Sequence, residues 1–231
     1  MQTIGLLGGM SWESTQSYYR LINEGVKARL GGLHSARLIL YSVDFADIET
    51  MQHQDDWEGT ATLLASAAES LQAAGADFLV IGTNTMHKVA PQIADAVNLP
   101  LLHIADATAE ALQQDGIDTV GLLGTRFTME QTFYRERLEQ AGIRVLIPEP
   151  EERDEIHRVI YQELCQGEIL SASRAGYLEV IDRLDKRGAQ AVILGCTEIG
   201  LLLNQANTPV ALYDTTEIHA KAAVTRALTE S

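Results

Sequence analysis

Short apolar runs alternate along this chain with longer stretches in which apolar residues recur every three or four positions. Eight runs read as strands, at residues 3–7, 38–41, 78–81, 101–104, 119–123, 145–147, 191–194 and 210–212. Helical patterns separate most of them, the signature of parallel sheets assembled from strand–helix–strand units. Ser11, ahead of Trp12-Glu13-Ser14, is a candidate helix cap, and Thr128-Met129-Glu130-Gln131 has the spacing of a capping box. Gly75 and Gly188 stand where helices must stop before a buried strand.

The chain also repeats itself. Thr3-Ile4-Gly5-Leu6-Leu7-Gly8 returns as Thr119-Val120-Gly121-Leu122-Leu123-Gly124. Gly75-Ala76-Asp77-Phe78-Leu79-Val80-Ile81-Gly82-Thr83 returns as Gly188-Ala189-Gln190-Ala191-Val192-Ile193-Leu194-Gly195-Cys196. A weaker echo sets Ile104-Ala105-Asp106 against Leu212-Tyr213-Asp214. Convergent composition at strand-to-helix turns explains one such match, but three in the same order point to two diverged copies of one unit, a duplication rather than a solenoid. The expected architecture is therefore an α/β fold of two similar domains, residues 1–98 with 209–231 and residues 99–208. Each is a parallel sheet flanked by helices, and a pseudo-twofold axis relates them with the active site between.

Composition narrows the functions open to such a fold. The 231 residues carry 17 Lys and Arg against 32 Asp and Glu, a formal charge of -15, which repels phosphate backbones and anionic lipid headgroups. Nucleic acid and membrane surfaces are thus excluded as expected partners, and no apolar run is long enough to cross a bilayer. An acidic small molecule remains open, because a closed pocket responds to local donors more than to the outer surface. With two cysteines, Cys165 and Cys196, and an opening that runs straight into a strand, the expected location is the reducing cytoplasm.

The repeat singles out Thr83 and Cys196, each following a buried strand and a glycine at the carboxyl end of a parallel sheet, where open α/β sheets bind ligands. Groups approaching from opposite sides are what inversion of a stereocentre needs: one removes the α-proton and the other returns a proton to the opposite face. A thiolate at a helix N-terminus has a lowered pKa, which suits Cys196 as a base. An unactivated hydroxyl such as Thr83 donates or relays a proton more readily than it abstracts one. Other readings of the same residues stand beside these: Cys196 as a small buried apolar side chain, and Thr83-Asn84-Thr85 as a helix cap. Cys165, within a helical pattern over residues 156–166, is read as structural. Gly5-Leu6-Leu7-Gly8-Gly9 matches neither dinucleotide nor Walker spacing and is read as a turn presenting backbone N–H groups to a carboxylate. The six histidines show no metal-ligand spacing, so no metal is expected. His87 and His103 are placed to approach the Thr83 site; His34, His53, His157 and His219 are read as surface or structural.

At these residues the chain resembles the aspartate/glutamate racemase family, pyridoxal-phosphate-independent enzymes of two similar α/β domains. The resemblance covers essentially the whole chain and rests on Ile4-Gly5-Leu6-Leu7-Gly8-Gly9-Met10-Ser11-Trp12-Glu13-Ser14-Thr15, on Thr83-Asn84-Thr85-Met86-His87 and on Gly195-Cys196-Thr197-Glu198. The family usually has Cys-Asn-Thr where this chain has Thr83-Asn84-Thr85, a departure similar to a bacterial subgroup with an asymmetric Thr/Cys pair acting on L-aspartate and L-glutamate. The resemblance implies a cofactor-independent amino-acid racemase and a homodimer. In it Cys196 takes the α-proton of the L-enantiomer and Thr83 faces the opposite side. Asn84, Thr85, Thr197 and Glu198 hold the substrate's amino and carboxylate groups, and Met10 and Gln52 line the pocket. Many aspartate-specific members use an Arg in the segment corresponding to residues 49–54 and a Lys near residues 165–168, where this chain offers Gln52 and no cation. Neutral donors imply weaker, less selective binding of Asp against Glu. Two competing functions stand beside this one, the first supported by the missing first cysteine. One is a decarboxylase or isomerase of the same superfamily, similar to arylmalonate decarboxylase and using Cys196 alone; the other is a binding protein that kept the cleft and lost catalysis.

Overall fold

The computed structural model describes residues 1–229. In chain order the elements are β1 (Ile4–Gly8), α1 (Trp12–Leu30), β2 (Leu38–Ser42), α2 (Phe45–His53), α3 (Trp57–Ala73), β3 (Phe78–Ile81), α4 (Ala90–Asp95), β4 (Leu101–Leu102) and α5 (Ile104–Gln114). They continue with β5 (Thr119–Gly124), α6 (Arg126–Glu130), α7 (Thr132–Gln140), β6 (Arg144–Leu146), α8 (Pro150–Gln162), α9 (Ser171–Lys186), β7 (Ala191–Gly195), α10 (Ile199–Leu202), β8 (Ala211–Asp214) and α11 (Thr215–Leu228). All eight expected strands form. They make two four-stranded sheets of identical topology, β2-β1-β3-β4 and β6-β5-β7-β8, with every pairing parallel.

The chain divides into two compact units, Met1–Ile104 with His219–Ser231, and Ala105–Ile218. The boundaries expected at 98/99 and 208/209 each fall one strand early. β4 pairs with β3 in the first sheet and β8 with β7 in the second; a two- or four-residue edge strand carries no mark of which sheet it will join.

In the first unit both sheet faces are covered, as parallel strands require. Ile4, Leu6, Phe78 and Val80 pack on Tyr18, Ile22 and Val26 of α1 and on Ala220, Ala223, Val224 and Ala227 of α11. Leu7, Leu79 and Ile81 pack on Leu64, Ala67, Ala68 and Leu71 of α3. The spacing of three and four along α1 and α3 is what turns those side chains to one face. In the second unit β7 is buried throughout, and Leu184 of α9 sits against Gly121 of β5, where an added Cβ would meet it at 2.8 Å.

Local chemistry sets the ends of the helices. Ser11 caps α1, accepting from the Ser14 N–H at 3.4 Å. Gly75 and Gly188 close α3 and α9 with φ of 96° and 99°, backbone that favours glycine. The capping box expected at Thr128 does not form: Thr125 caps α6 three residues earlier, and Thr128 lies buried inside the helix. The third sequence echo is also out of step, because the helix starts align Ile104 with Thr215 and hence Asp106 with Glu217 rather than with Asp214.

Candidate active site

In the first unit Thr83 follows β3 after Gly82, whose N–H donates to the Leu7 carbonyl at 2.9 Å and ties the end of β3 to β1. Thr83, Asn84 and Thr85 are all buried. Asn84 has helical dihedrals, φ -75° and ψ -47°, and its side chain makes no capping bond to the short 3-10 turn Thr85–Val89 that follows. The reading of this segment as a helix cap is therefore set aside.

His87 holds Thr83 from behind. Its Nε2 accepts from the Ile104 N–H at 3.2 Å, and Nδ1 lies 2.8 Å from the Thr83 carbonyl. An amide can only donate and a carbonyl can only accept, so the ring is neutral with its proton on Nδ1. Both nitrogens are spent on backbone, which makes His87 a fastener of Thr83. His103 stacks edge-on against His87 with ring centroids 4.3 Å apart.

Met10 and Gln52 belong to the same unit. Met10, in the connection from β1 to α1, packs in the core with Ile48, and Gln52 lies one turn beyond Ile48 on the buried side of α2. The glycine turn before Met10 does not offer its amide to a ligand as expected: the Gly9 N–H donates to Thr15 Oγ1 at 2.7 Å. Gly9 has φ 91°, and a Cβ there would lie 2.3 Å from the Val43 carbonyl. Its role is close backbone approach.

In the second unit Cys196 follows β7 directly, and Cys196, Thr197 and Glu198 are buried. Glu198 Oε2 accepts two hydrogen bonds, from the Cys196 thiol at 2.9 Å and from the Thr197 hydroxyl at 2.9 Å. Burial, followed by the Glu198 carboxylate and the nearby Cys165, pushes the Cys196 thiol well above its ordinary value. That reverses the lowered pKa expected from the sequence. The physical reason is twofold: the following helix, α10, has four residues, too few to present a developed positive end, and the nearest charged group is an anion.

The sequence read Cys165 as structural and did not single out Tyr177 or Glu163. Cys165 lies in a 3-10 turn, Leu164–Gln166, after α8 rather than within a continuous helix, and is close enough to Cys196 to act on its ionisation. Tyr177 of α9 is buried and donates to the Ile156 carbonyl at 3.0 Å. Glu163 accepts from Ser173 at 2.5 Å and from Arg158 at 2.9 Å. No spacing signal connects these positions with Cys196; α8 and α9 bring them there by packing. A cavity of about 460 Å³ lies between α8 and α9, floored by Val159, Tyr177 and Val180 and rimmed by Glu151, Glu155 and Glu179. None of the residues singled out by the sequence lines it. Among the described residues no group of three or more His, Cys, Asp or Glu side chains is arranged to hold a metal ion, and no helix is long and apolar enough to cross a membrane.

Thr83 thus follows the central strand of one sheet and Cys196 that of the other. The model of the Asp/Glu/hydantoin racemase family matches residues 7–223. The chain belongs to the Asp/Glu/hydantoin racemase family. Among solved structures it is similar to a proposed Asp/Glu racemase from Yersinia pestis, 57% identical with a TM-score of 0.92 over 99% of this chain and 100% of that one. It is also similar to an aspartate racemase homologue from Pyrococcus horikoshii, 35% identical with a TM-score of 0.86 over 99% and 100%. A curated relative is the broad specificity amino-acid racemase RacX of Bacillus subtilis, 22% identical over 230 residues, 96% of each chain. A glutamate racemase from Francisella tularensis, solved with D-glutamate, shares the fold at 15% identity and a TM-score of 0.69. As a member of this racemase family the chain is an α/β isomerase with two parallel sheets flanked by helices.

Proposed function

We propose that this racemase interconverts the L- and D-forms of aspartate and glutamate without a cofactor, Cys196 transferring the α-proton on the L face and Thr83 serving the opposite face. In this reading Asn84, Thr85, Thr197 and Glu198 hold the substrate's amino and carboxylate groups, and Met10 and Gln52 line its side-chain pocket. The observation that carries it is a buried thiol at the carboxyl end of β7, hydrogen-bonded to a carboxylate, in a chain of this family. Relatives named for acidic amino acids support the substrate class, and the broad specificity of RacX agrees with the neutral Gln52 in giving weak discrimination between the two. The decarboxylase alternative is not favoured, since the relatives described above are named as racemases or as racemase homologues.

Enantiomers have equal free energy in water, so kcat/KM is equal in the two directions. Any one-way preference that the Thr/Cys asymmetry produces therefore appears in kcat with a compensating KM. A homodimer in the cytoplasm completes the proposal; light scattering on the purified protein checks the first and cell fractionation the second. The deciding experiment is proton NMR of L-Asp, L-Glu and their D-forms in heavy water with purified enzyme and no added cofactor, followed by chiral chromatography. Loss of the α-proton signal with growth of the opposite enantiomer is expected. Silence on all four amino acids overturns the proposal.

A further inference from the structure

The cleft between α8 and α9 has no part in the proposed reaction, since none of the residues assigned to it lines the cleft. The two helices run antiparallel and are tied at three levels: Glu152 to Arg183 at one end, the Tyr177 hydroxyl to the Ile156 carbonyl at 3.0 Å in the middle, and Ser173 to Glu163 at 2.5 Å at the other. Between these polar ties the small residues Ala172, Ser173 and Gly176 leave space unfilled. Glycine inside a helix weakens it. At Gly176 an added Cβ would meet nothing within 4 Å, so packing does not call for glycine there. What the missing side chain leaves is room. From Ala172 to Arg183 the cleft is about 17 Å long at 1.5 Å per residue. Its volume of about 460 Å³ falls within the usual span of small-molecule sites, about 300–1,000 Å³, and is too small for a helix of that length, about 10 Å across.

We propose that this cleft binds a soluble organic amine with a single aliphatic chain, as its ammonium ion. Charge decides the sign. Five carboxylates line the cleft against two guanidiniums, an excess of three negative charges. Both guanidiniums are already spent on pairs of carboxylates: Arg158 lies 2.6 Å from Glu155 and 2.9 Å from Glu163, and Arg183 pairs with Glu152 and, at 3.6 Å, with Glu179. An anion would therefore meet uncompensated carboxylates, whereas an ammonium head would be drawn to them. The lining also sets the direction in which such a molecule lies. Glu151 and Glu155, one turn apart on α8, stand with Glu179 in the half of the cleft toward the Glu152–Arg183 tie. The buried side chains of Val180, Tyr177 and Val159 lead from there toward the exposed Leu170 at the other end. The head belongs among the three glutamates, and the chain lies along the apolar floor, where it leaves water.

The probe is n-octylammonium, titrated at neutral pH into the full chain and followed by calorimetry and by nitrogen–proton correlation NMR. Saturable binding to one site is expected, with the shifted amides confined to α8 and α9. Octanoate keeps the chain and reverses the charge, and n-butylammonium keeps the head and shortens the chain; each should bind about tenfold more weakly or less. Two variants, checked for folding by circular dichroism, place the site. Gly176→Leu, which fills the cleft and suits a helix better than glycine, should abolish binding. The double variant Glu151→Gln with Glu179→Gln, both exposed positions, should weaken octylammonium about tenfold while leaving octanoate no weaker; it decides alone should Gly176→Leu fail to fold. Equal affinity for octanoate and octylammonium, or octylammonium binding untouched by the variants, overturns the proposal. Silence with octylammonium at millimolar concentration overturns it too, and shifts of the same amides by a lysine-rich amphipathic peptide would then assign the cleft to a protein partner. No residue assigned to racemisation lines the cleft, so this binding reads the same whether or not the chain racemises either amino acid.

Discussion

Acid should weaken the first unit through His219. Its ring is wholly buried, its Nδ1 is 2.8 Å from the Tyr18 hydroxyl, and its Nε2 is 2.8 Å from the Leu102 carbonyl. The carbonyl can only accept, so Nε2 carries the proton and Nδ1 accepts from Tyr18, which fixes a neutral ring. Burial pushes its pKa down to about 4 from 6.5, with the Leu102 carbonyl pulling the other way. The sign follows from proton binding. Between these values the unfolded chain binds the proton and the folded chain does not, so stability is complete above pH 6.5 and drains away as pH falls through 4. A shift of this size corresponds to about 3 kcal/mol at 1.36 kcal/mol per unit. His219→Gln removes the titration but leaves Tyr18 and Leu102 poorly partnered, at a cost of about 2 kcal/mol near pH 7. Urea denaturation of both proteins from pH 7 to pH 4 is the assay. Groups that titrate alike in both proteins cancel in the difference. The stability gap between wild type and variant should close, and then reverse, as pH falls. A gap that stays constant to pH 4 would show that His219 is not held neutral and refute the reasoning.

Three further outcomes follow from the same geometry. Cys196→Ala should abolish α-proton exchange from the L-amino acids while leaving the fold intact by circular dichroism; exchange at the wild-type rate would remove Cys196 from the mechanism. Thr83→Cys should raise kcat in the D-to-L direction, read by chiral chromatography, and an unchanged rate would make Thr83 a spectator with solvent supplying the second proton. In Gly195→Ala the new Cβ would lie 2.8 Å from both the Leu123 carbonyl and Leu122 Cδ1, so a loss of about 1–3 kcal/mol in denaturant melts is expected, as for other overpacked sites; wild-type stability would show that β5 and β7 separate freely.

Much of this protein was legible along the chain, for a local reason. Strand positions, the duplication and the placement of Thr83 and Cys196 just after buried strands depend on hydrophobic period and on glycine, which neighbouring residues express by themselves. Ser11 as a cap, and Gly75 and Gly188 as helix stops, were legible in the same way. What the sequence could not determine is everything set by which distant surfaces meet. β4 and β8 join sheets other than the expected ones because an edge strand is chosen by its partner. The Thr128 capping box loses to Thr125 because burial claims Thr128 for the core. The thiol of Cys196 ionises less readily, not more, because packing encloses it with Glu198 and Cys165 and the helix that follows is a single turn. Sequence thus fixes which residues stand at the strand ends, whereas proton affinity depends on solvent exclusion and on charges a few ångströms away, and those distances exist only once the helices have packed.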